Sequence, residues 1–153
     1  MLFVVLEIGG ARYAIDASQI VEVLPLLRVT PVPEAPRGVA GVFNYRGGPV
    51  PVVDLSEVIL GRPAVARYST RLVLADCADD RGRWRLLALM AEGATATLQR
   101  EAADFVPSGV STTGARYLGP IATDADGVIQ RIDPARILPP AVHDALFDEP
   151  LDR

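Results

Sequence analysis

Few residues of this sequence could act as a nucleophile, a general base or a general acid. The one histidine, His143, stands beside Asp144 near the end of the chain, and we expect it to be a solvated surface residue. The one cysteine, Cys77, lies in an apolar run, so we expect a buried strand residue and no disulfide within the chain. The stretch from Gly109 to Gly114 contains Ser111, but its second glycine is too far from the serine for a nucleophile elbow. The sequence therefore predicts a protein that is not an enzyme.

The sequence gives little support for a metal site or for catalysis by a pair of carboxylates. One histidine and one cysteine cannot complete a zinc site, which leaves carboxylate oxygens as ligands. Asp124 and Asp126 follow part of a calcium-loop pattern, but its twelfth position holds Asp133 instead of glutamate, so we predict a β-hairpin there. Asp54 and Glu57 form the carboxylate pair nearest to a candidate site, and Asp54 can equally cap a following helix. We predict no metal and no cofactor.

Length and composition favour one soluble globular unit. The chain has 153 residues, 50% hydrophobic and 22% charged, enough for one domain or for two small subdomains that share a core. The net charge is −4 and the basic residues are arginines spread from Arg12 to Arg153, so we expect no nucleic-acid partner. No apolar run approaches the ~20 residues that span a bilayer, and residues 1–10 indicate a first strand instead of a signal peptide. We expect a cytoplasmic protein without direct membrane insertion.

The elements that would position functional side chains are short strands separated by turn residues. Pairs of apolar runs flank Gly-Gly, polar or Asp-Gly turns, which is typical of β-hairpins. Four hairpins are predicted, pairing 2–8 with 11–15, 39–46 with 49–55, 71–77 with 84–90, and 119–123 with 127–132.

Helices are expected to be few and short. Asp16 would cap one helical turn at 17–20, and Ser56 would cap a helix that ends at Gly61. A brief amphipathic helix is expected near the end of the chain, at about 140–148. The prolines between Pro25 and Pro36 exclude a central strand or a helix interior, and so predict an extended loop or edge.

Many short strands and no long helical period predict an all-β fold of the sandwich or barrel type. The chain also has a weak internal repeat. Pro33 precedes a strand, a turn and a strand that ends at Asp54, and Pro107 precedes the same series ending at Asp133. Two related β subdomains would explain the repeat, and so would the coincidences common in any all-β chain.

The segment from Gly41 to Leu55, GVFNYRGGPVPVVDL, is the least ordinary part of the sequence. Arg46 is expected at the last position of a strand, beside two glycines and opposite two prolines, and this geometry would fix its guanidinium group. It could be a solvated charge at a strand end, or a rigid anchor that reaches a carboxylate or backbone carbonyls across an interface. The residues alone leave both interpretations open.

The same segment, with QIVEV at 19–23 and TPVPEAP at 30–36, resembles the CheW family of chemotaxis coupling proteins. The resemblance includes Tyr-Ala-Ile-Asp at 13–16 and Pro-Val-Val-Asp-Leu at 51–55, in the expected order. It implies two intertwined five-stranded SH3-like barrels with a few short helices, within a single CheW-like domain over residues 1–153.

The resemblance also implies a function without catalysis. Proteins of this family are scaffolds that couple the cytoplasmic tip of methyl-accepting chemoreceptors, at the inner face of the membrane, to the regulatory domain of a CheA-type histidine kinase. Four positions would lie on or support the coupling surfaces: Ile20, Glu22, Gly41 and Arg46. Four others would hold the fold: Asn44, Gly47, Pro51 and Asp54.

The second half of the chain departs from the family pattern. The family normally has a Val-Asp pair at the end of the strand that holds residues 89–92 here, and Ala94 and Ala96 stand where bulkier residues are usual. This departure favours a divergent, non-flagellar pathway. Two other functions stay open: a β-barrel that binds a small ligand or performs a minor hydrolysis with Asp54 or Glu92 in a cleft between the barrels, and a CheW-like fold that self-assembles.

Overall fold

The computed structural model describes residues 1–78, 82–110 and 114–138, apart from the side chain of Thr95. Ten strands lie in these ranges: β1 (Leu2–Ile8), β2 (Ala11–Asp16), β3 (Ile20–Pro25), β4 (Val39–Tyr45), β5 (Gly48–Asp54), β6 (Arg71–Ala78), β7 (Trp84–Ala91), β8 (Gly93–Gln99), β9 (Leu118–Asp124) and β10 (Gly127–Ile132). The helical part comprises α1 (Leu55–Leu60) and single 3-10 turns at Ala17–Gln19, Ala102–Asp104 and Pro134–Arg136. The helix predicted at about 140–148 and most of the turn predicted at 79–82 lie outside the described residues.

The strands form two five-stranded sheets. One has the order β8-β1-β2-β10-β9 and is built from residues 2–16 and 93–132, so we call it the terminal barrel. The other has the order β3-β6-β7-β5-β4, lies between those segments in the chain, and is called the central barrel. The two are intertwined because the chain leaves the terminal barrel after β2 and returns to it only at β8.

Each sheet closes on itself through a short extension of an edge strand. After β3, the chain reaches Thr30, whose N–H and C=O bond to Val42 of the opposite edge strand at 2.8 and 2.9 Å. After β8, the chain reaches Val106, which forms the corresponding pair with Ile121 of β9 at 2.8 Å for both bonds. The predicted all-β fold of two intertwined five-stranded SH3-like barrels with few short helices is confirmed.

Alternation along the strands divides the buried side chains among three clusters. On β6, Leu72 and Leu74 face the interior of the central barrel, whereas Val73, Ala75 and Cys77 face the terminal barrel. The cluster between the barrels also contains Val4, Leu6, Ile8 and Ile15 from the first two strands. The interior of the terminal barrel is filled by Phe3, Ala14, Phe105, Ala122 and Ile129. Because the largest cluster lies between the barrels, they pack as one unit.

Several local predictions are confirmed and two are wrong. The four hairpins are present, and the Asp124–Gly127 segment is a hairpin turn, as expected. Ser56 does not cap α1, because Asp54 occupies that position and Ser56 is fully buried. Arg46 is not the last residue of a strand, since β4 ends at Tyr45.

Strand β8 was not predicted, and it is the edge strand that pairs with β1. Its sequence alternates alanine with threonine and has Leu98 as its single large apolar residue, so it shows little of the pattern that indicates a strand. Within the ranges that the structure describes, no helix is long and apolar enough to cross a membrane.

Candidate functional site

Arg46 lies at the tip of the β4–β5 hairpin. Tyr45 pairs with Gly48, so the loop consists of Arg46 and Gly47 alone, with φ angles of 51° and 88°. Positive φ at both positions is the type I′ geometry that fits the twist of a two-residue hairpin. The Gly47 N–H donates to Oδ1 of Asn44 at 3.0 Å, which completes the turn. An arginine in this region costs about 1–2 kcal/mol relative to glycine, so the fold holds Arg46 here at a penalty.

The side chain of Arg46 is exposed and rests on an aromatic ring. Its guanidinium carbon lies 5.2 Å from the centroid of the Tyr45 ring, within the range of a cation–π contact. Tyr45 is half-buried and packs against the interior cluster of the central barrel. The contact thus limits where the guanidinium points while its N–H groups stay in solvent.

Gly41 closes the central barrel. It is buried, has a φ of 146°, and a Cβ at this position would lie 2.1 Å from the carbonyl oxygen of Thr30. No side chain fits in that space, because Thr30 is the residue that pairs with Val42 across the barrel opening. Gly41 is therefore a structural residue that allows the barrel to close.

Ile20 and Glu22 lie on β3, at the opposite edge of the central barrel's sheet from β4. The register with β6 shifts between them, so that Ile20 faces Ala75 and Glu22 faces Leu74. Both are half-buried, and Ile20 packs against the cluster between the barrels. The residues that β3 exposes are Val21 and Val23, which are 49% and 40% accessible, and Pro25 at its end.

Asp54 is a helix cap whose oxygens are already occupied. Its Oδ1 accepts hydrogen bonds from the N–H groups of Ser56 and Glu57 at 3.0 and 3.3 Å, and its Oδ2 accepts one from Ala64 at 2.8 Å. Its side chain is buried at the end of β5.

Pro51 precedes Asp54 on the same strand. It lies opposite Val42 and outside the three-residue ladder with β7, which begins at Val52. A proline is tolerated there because no ladder hydrogen bond to β7 is needed.

Glu92 is a second buried carboxylate with several partners. Its Oε1 accepts from the Ser56 hydroxyl at 2.8 Å and faces Arg62 at 3.4 Å, and its Oε2 accepts from the Val65 N–H at 3.0 Å. Burial opposes ionisation, but the Val65 N–H, the Ser56 hydroxyl and the nearby arginines outweigh it and lower the pKa of Glu92. Asp54 and Glu92 thus hold the segment after α1 in place, and their carboxylate oxygens are engaged in these structural contacts.

Asp124 belongs to an ion-pair cluster at the tip of the β9–β10 hairpin. Arg12 donates to both of its carboxylate oxygens, at 2.6 and 3.0 Å, and Arg100 lies 3.6 Å away. The hydrogen bonds from Arg12 and from the Asp126 N–H lower the pKa of Asp124 to about 2. Among the described residues, no group of three or more His, Cys, Asp or Glu side chains is arranged to bind a metal ion.

The structure thus brings only some of the sequence-predicted positions together. Asn44, Arg46 and Gly47 form one turn, and Gly41 and Pro51 lie on the two strands that lead to it. Ile20, Glu22 and Asp54 lie elsewhere: on β3 and at the other end of β5. Sequence reasoning gave no role to Trp84, an exposed aromatic residue at the start of β7. The sequence feature that could have identified it is a lone tryptophan between two arginines, in a chain where aromatic residues are only 6% of the total.

Known proteins provide the remaining comparison. The chemotaxis protein CheW of Helicobacter pylori (strain ATCC 700392 / 26695) is 42% identical over 53 residues, which is 35% of this chain and 32% of that protein. The crystal structure of the scaffolding protein TtCheW from Thermoanaerobacter tengcongensis superposes with a TM-score of 0.78 and 21% identity, covering 90% of this chain and 87% of that one. At this identity the superposition supports the fold alone.

The family comparison extends over most of the chain. The model of the CheW-like domain matches residues 2–141, and so includes both barrels and the hairpin that carries Arg46. Since this match covers far more than half of the sequence, the chain belongs to the CheW-like domain family.

Proposed function

We propose that this protein is a non-catalytic scaffold that couples methyl-accepting chemoreceptors to a CheA-type histidine kinase in a chemosensory array. The observation that carries the proposal is the CheW-like match across residues 2–141. Within that range, Arg46 is exposed at the tip of a hairpin. The two relatives described above are a chemotaxis protein and a scaffolding protein. In this proposal the protein acts in the cytoplasm and reaches the inner face of the membrane through the receptors.

The architecture suits a scaffold because the barrels pack against each other through a continuous core. Val53, Val73 and Leu89 of the central barrel are fully buried in that core, together with Leu6 and Ile15 of the terminal barrel. Close-packed interiors resist deformation, so two partners bound to different faces would be held in a fixed relative position. In such a scaffold the two binding events would be linked: if the receptor alters the affinity for the kinase, the kinase alters the affinity for the receptor by the same factor.

Arg46 is proposed as an anchor of the coupling surface. Its guanidinium is exposed, is limited in direction by Tyr45, and can donate two parallel hydrogen bonds to a carboxylate. Ile20 and Glu22 would contribute to the surface through the exposed edge at β3, and Gly41 would act by closing the barrel. The departure of the second half from the family pattern favours a divergent, non-flagellar pathway.

The test is a binding measurement with the kinase regulatory domain and a soluble receptor tip fragment, by calorimetry. The wild-type protein should bind both with dissociation constants in the micromolar range, the scale of transient signalling contacts. Arg46→Glu should weaken binding at least about tenfold, because it places a carboxylate where a carboxylate is expected in the partner. Arg116→Glu, at an exposed arginine just before β9, should bind like the wild type.

A second variant separates binding from folding. Asparagine tolerates positive φ better than arginine, so Arg46→Asn should keep or raise stability while it removes the charge. We expect Arg46→Asn to keep the β-sheet circular dichroism and to weaken binding at least about tenfold. A variant that binds normally would show that Arg46 is not an anchor, and a wild-type protein that binds neither partner would contradict the proposed function.

A further inference from the structure

Trp84 is the one tryptophan of the chain, and 66% of it is accessible to solvent. A large aromatic side chain left in water forgoes most of the free energy that its burial would provide. Tryptophan is also enriched among the residues that dominate the energy of protein–protein interfaces. The position of Trp84 in the barrel therefore needs an explanation.

The register places Trp84 at the same end of the central barrel as Arg46. Strands β5 and β7 run parallel, with Val52 level with Ala88. The strands begin four residues before that pair, at Gly48 and Trp84, so their first residues lie at the same end of the sheet. Since Gly48 pairs with Tyr45, the Arg46 turn lies at that end too.

Trp84 also faces the same side of the sheet as the barrel interior. Side chains alternate along a strand, and Leu86, Ala88 and Met90 of β7 all belong to the interior cluster of the central barrel or pack against it. Trp84 continues that row by one position beyond the barrel. The interior side of this sheet therefore ends in an exposed aromatic ring, and the Tyr45 ring that carries Arg46 lies at the same end of the barrel.

We propose that Tyr45, Arg46 and Trp84 form one docking surface, called the barrel-end surface, with Trp84 as its central apolar anchor. The occupant is a folded protein that presents an apolar pocket with a carboxylate beside it. The pocket would receive the indole ring, and the carboxylate would pair with the exposed guanidinium of Arg46. This inference rests on the proposed function, and adds that the partner's affinity depends on Trp84 as much as on Arg46.

The single tryptophan makes the test direct. Intrinsic fluorescence is recorded while the kinase regulatory domain, or the receptor tip fragment, is added to the wild-type protein and to Trp84→Phe. The difference between the two titrations reports Trp84 alone. We expect a blue shift and reduced quenching by acrylamide for one of the two partners, because the ring leaves water when it enters a pocket.

Affinity provides the second readout. Trp84→Ala should weaken binding of that partner at least about tenfold, and the double variant with Arg46→Asn should show non-additive losses, as expected for neighbouring residues. The matched control is Tyr68→Ala, because Tyr68 is fully exposed just before β6, at the opposite end of the same barrel. It should bind normally. Because the Trp84 side chain is largely exposed, Trp84→Ala should keep the wild-type circular dichroism.

Three results would overturn the inference. Normal binding by Trp84→Ala, while Arg46→Asn fails to bind, would contradict the barrel-end surface and leave the proposed function standing. A Trp84 blue shift that depends on the protein's own concentration, without a partner, would assign the surface to a second copy of the chain. A shift produced by lipid vesicles alone would assign it to a membrane. Failure of the wild type to bind either partner would instead contradict the proposed function.

Discussion

The central and terminal barrels share one strand arrangement and differ in what their hairpin tips do. In each barrel a hairpin, β4–β5 or β9–β10, joins the sheet through a three-residue parallel ladder, to β7 or to β2. The central hairpin presents Arg46 to solvent on the Tyr45 ring. The terminal hairpin holds Asp124 against Arg12. One tip leaves its charge exposed to solvent, whereas the other pairs its charge with an arginine of another strand.

The aspartates that follow the two hairpins differ in the same sense. Asp54 and Asp133 each accept a hydrogen bond from the N–H two residues on, at 3.0 and 3.1 Å. Asp54 is buried and has two further N–H donors, whereas 44% of the Asp133 side chain is exposed. Equivalent positions of a repeated fold therefore accept different numbers of backbone hydrogen bonds. We expect the central barrel to lose more stability than the terminal barrel when its aspartate is removed.

The largest loss of stability should come from replacing Gly41, the residue that allows the central barrel to close. Gly41→Ala places a Cβ at 2.1 Å from the Thr30 carbonyl oxygen, so either the strand or the closure must move. We expect a loss of about 3 kcal/mol or more in the free energy of unfolding, measured by urea denaturation followed by circular dichroism. The matched variant in the terminal barrel is Gly127→Ala, which has a φ of 111° but no atom within 4 Å.

Gly127→Ala should cost only about 1–2 kcal/mol, because it introduces backbone strain without a clash. Equal losses at the two positions would mean that the close approach of Gly41 to Thr30 is not required for closure. The comparison therefore distinguishes a steric requirement from a conformational one.

A smaller difference should separate the two aspartates. Asp54→Ala leaves three N–H groups without an acceptor, on Ser56, Glu57 and Ala64, and should destabilise the protein by about 2 kcal/mol. Asp133→Ala should cost about 1 kcal/mol, the usual loss for one helix cap. Both values can be read from the urea midpoint. Similar losses would show that the extra bonds of Asp54 contribute nothing, and that the two barrels are equivalent at this position.

The smallest effect should be a change in the pH dependence of stability when Asp124, at the tip of the β9–β10 hairpin, is replaced. The pKa of Asp124 is about 2 in the fold, below the ~3.9 of an unfolded chain. The Arg12 pair therefore stabilises the protein fully above about pH 4–5, and this contribution is lost as the pH falls towards 2. Asp124→Asn should lower the thermal midpoint at pH 6 and flatten its decline between pH 4 and pH 2. Asp126→Asn is the matched control, and a decline identical in all three proteins would contradict the role of the pair.

Local sequence patterns predicted the elements that depend on neighbouring residues. The Gly-Gly and Asp-Gly pairs predicted where the hairpins reverse to within about one residue, since such turns require backbone conformations that few residues adopt. The same reasoning misplaced Arg46 by one position, because a non-glycine residue with positive φ is not expected. It also chose Ser56 as a cap, because serine and aspartate are equally good caps and only burial separates them. Strand β8 was missed because alternating alanine and threonine carry little hydrophobic signal.

The all-β class, the four hairpins and the CheW resemblance of the segment around Arg46 could all be inferred from the sequence. How those hairpins combine into two barrels is visible only in the tertiary structure. The pairs that matter join distant residues: β1 with β8, β5 with β7, and Arg12 with Asp124 across 112 positions. Such pairs form because burial and closure select one arrangement among many that local preferences allow. For the same reason, the ion pair between Asp124 and Arg12 could be seen only in the folded chain. The same holds for the exposure of Arg46 and Trp84 at one end of the central barrel.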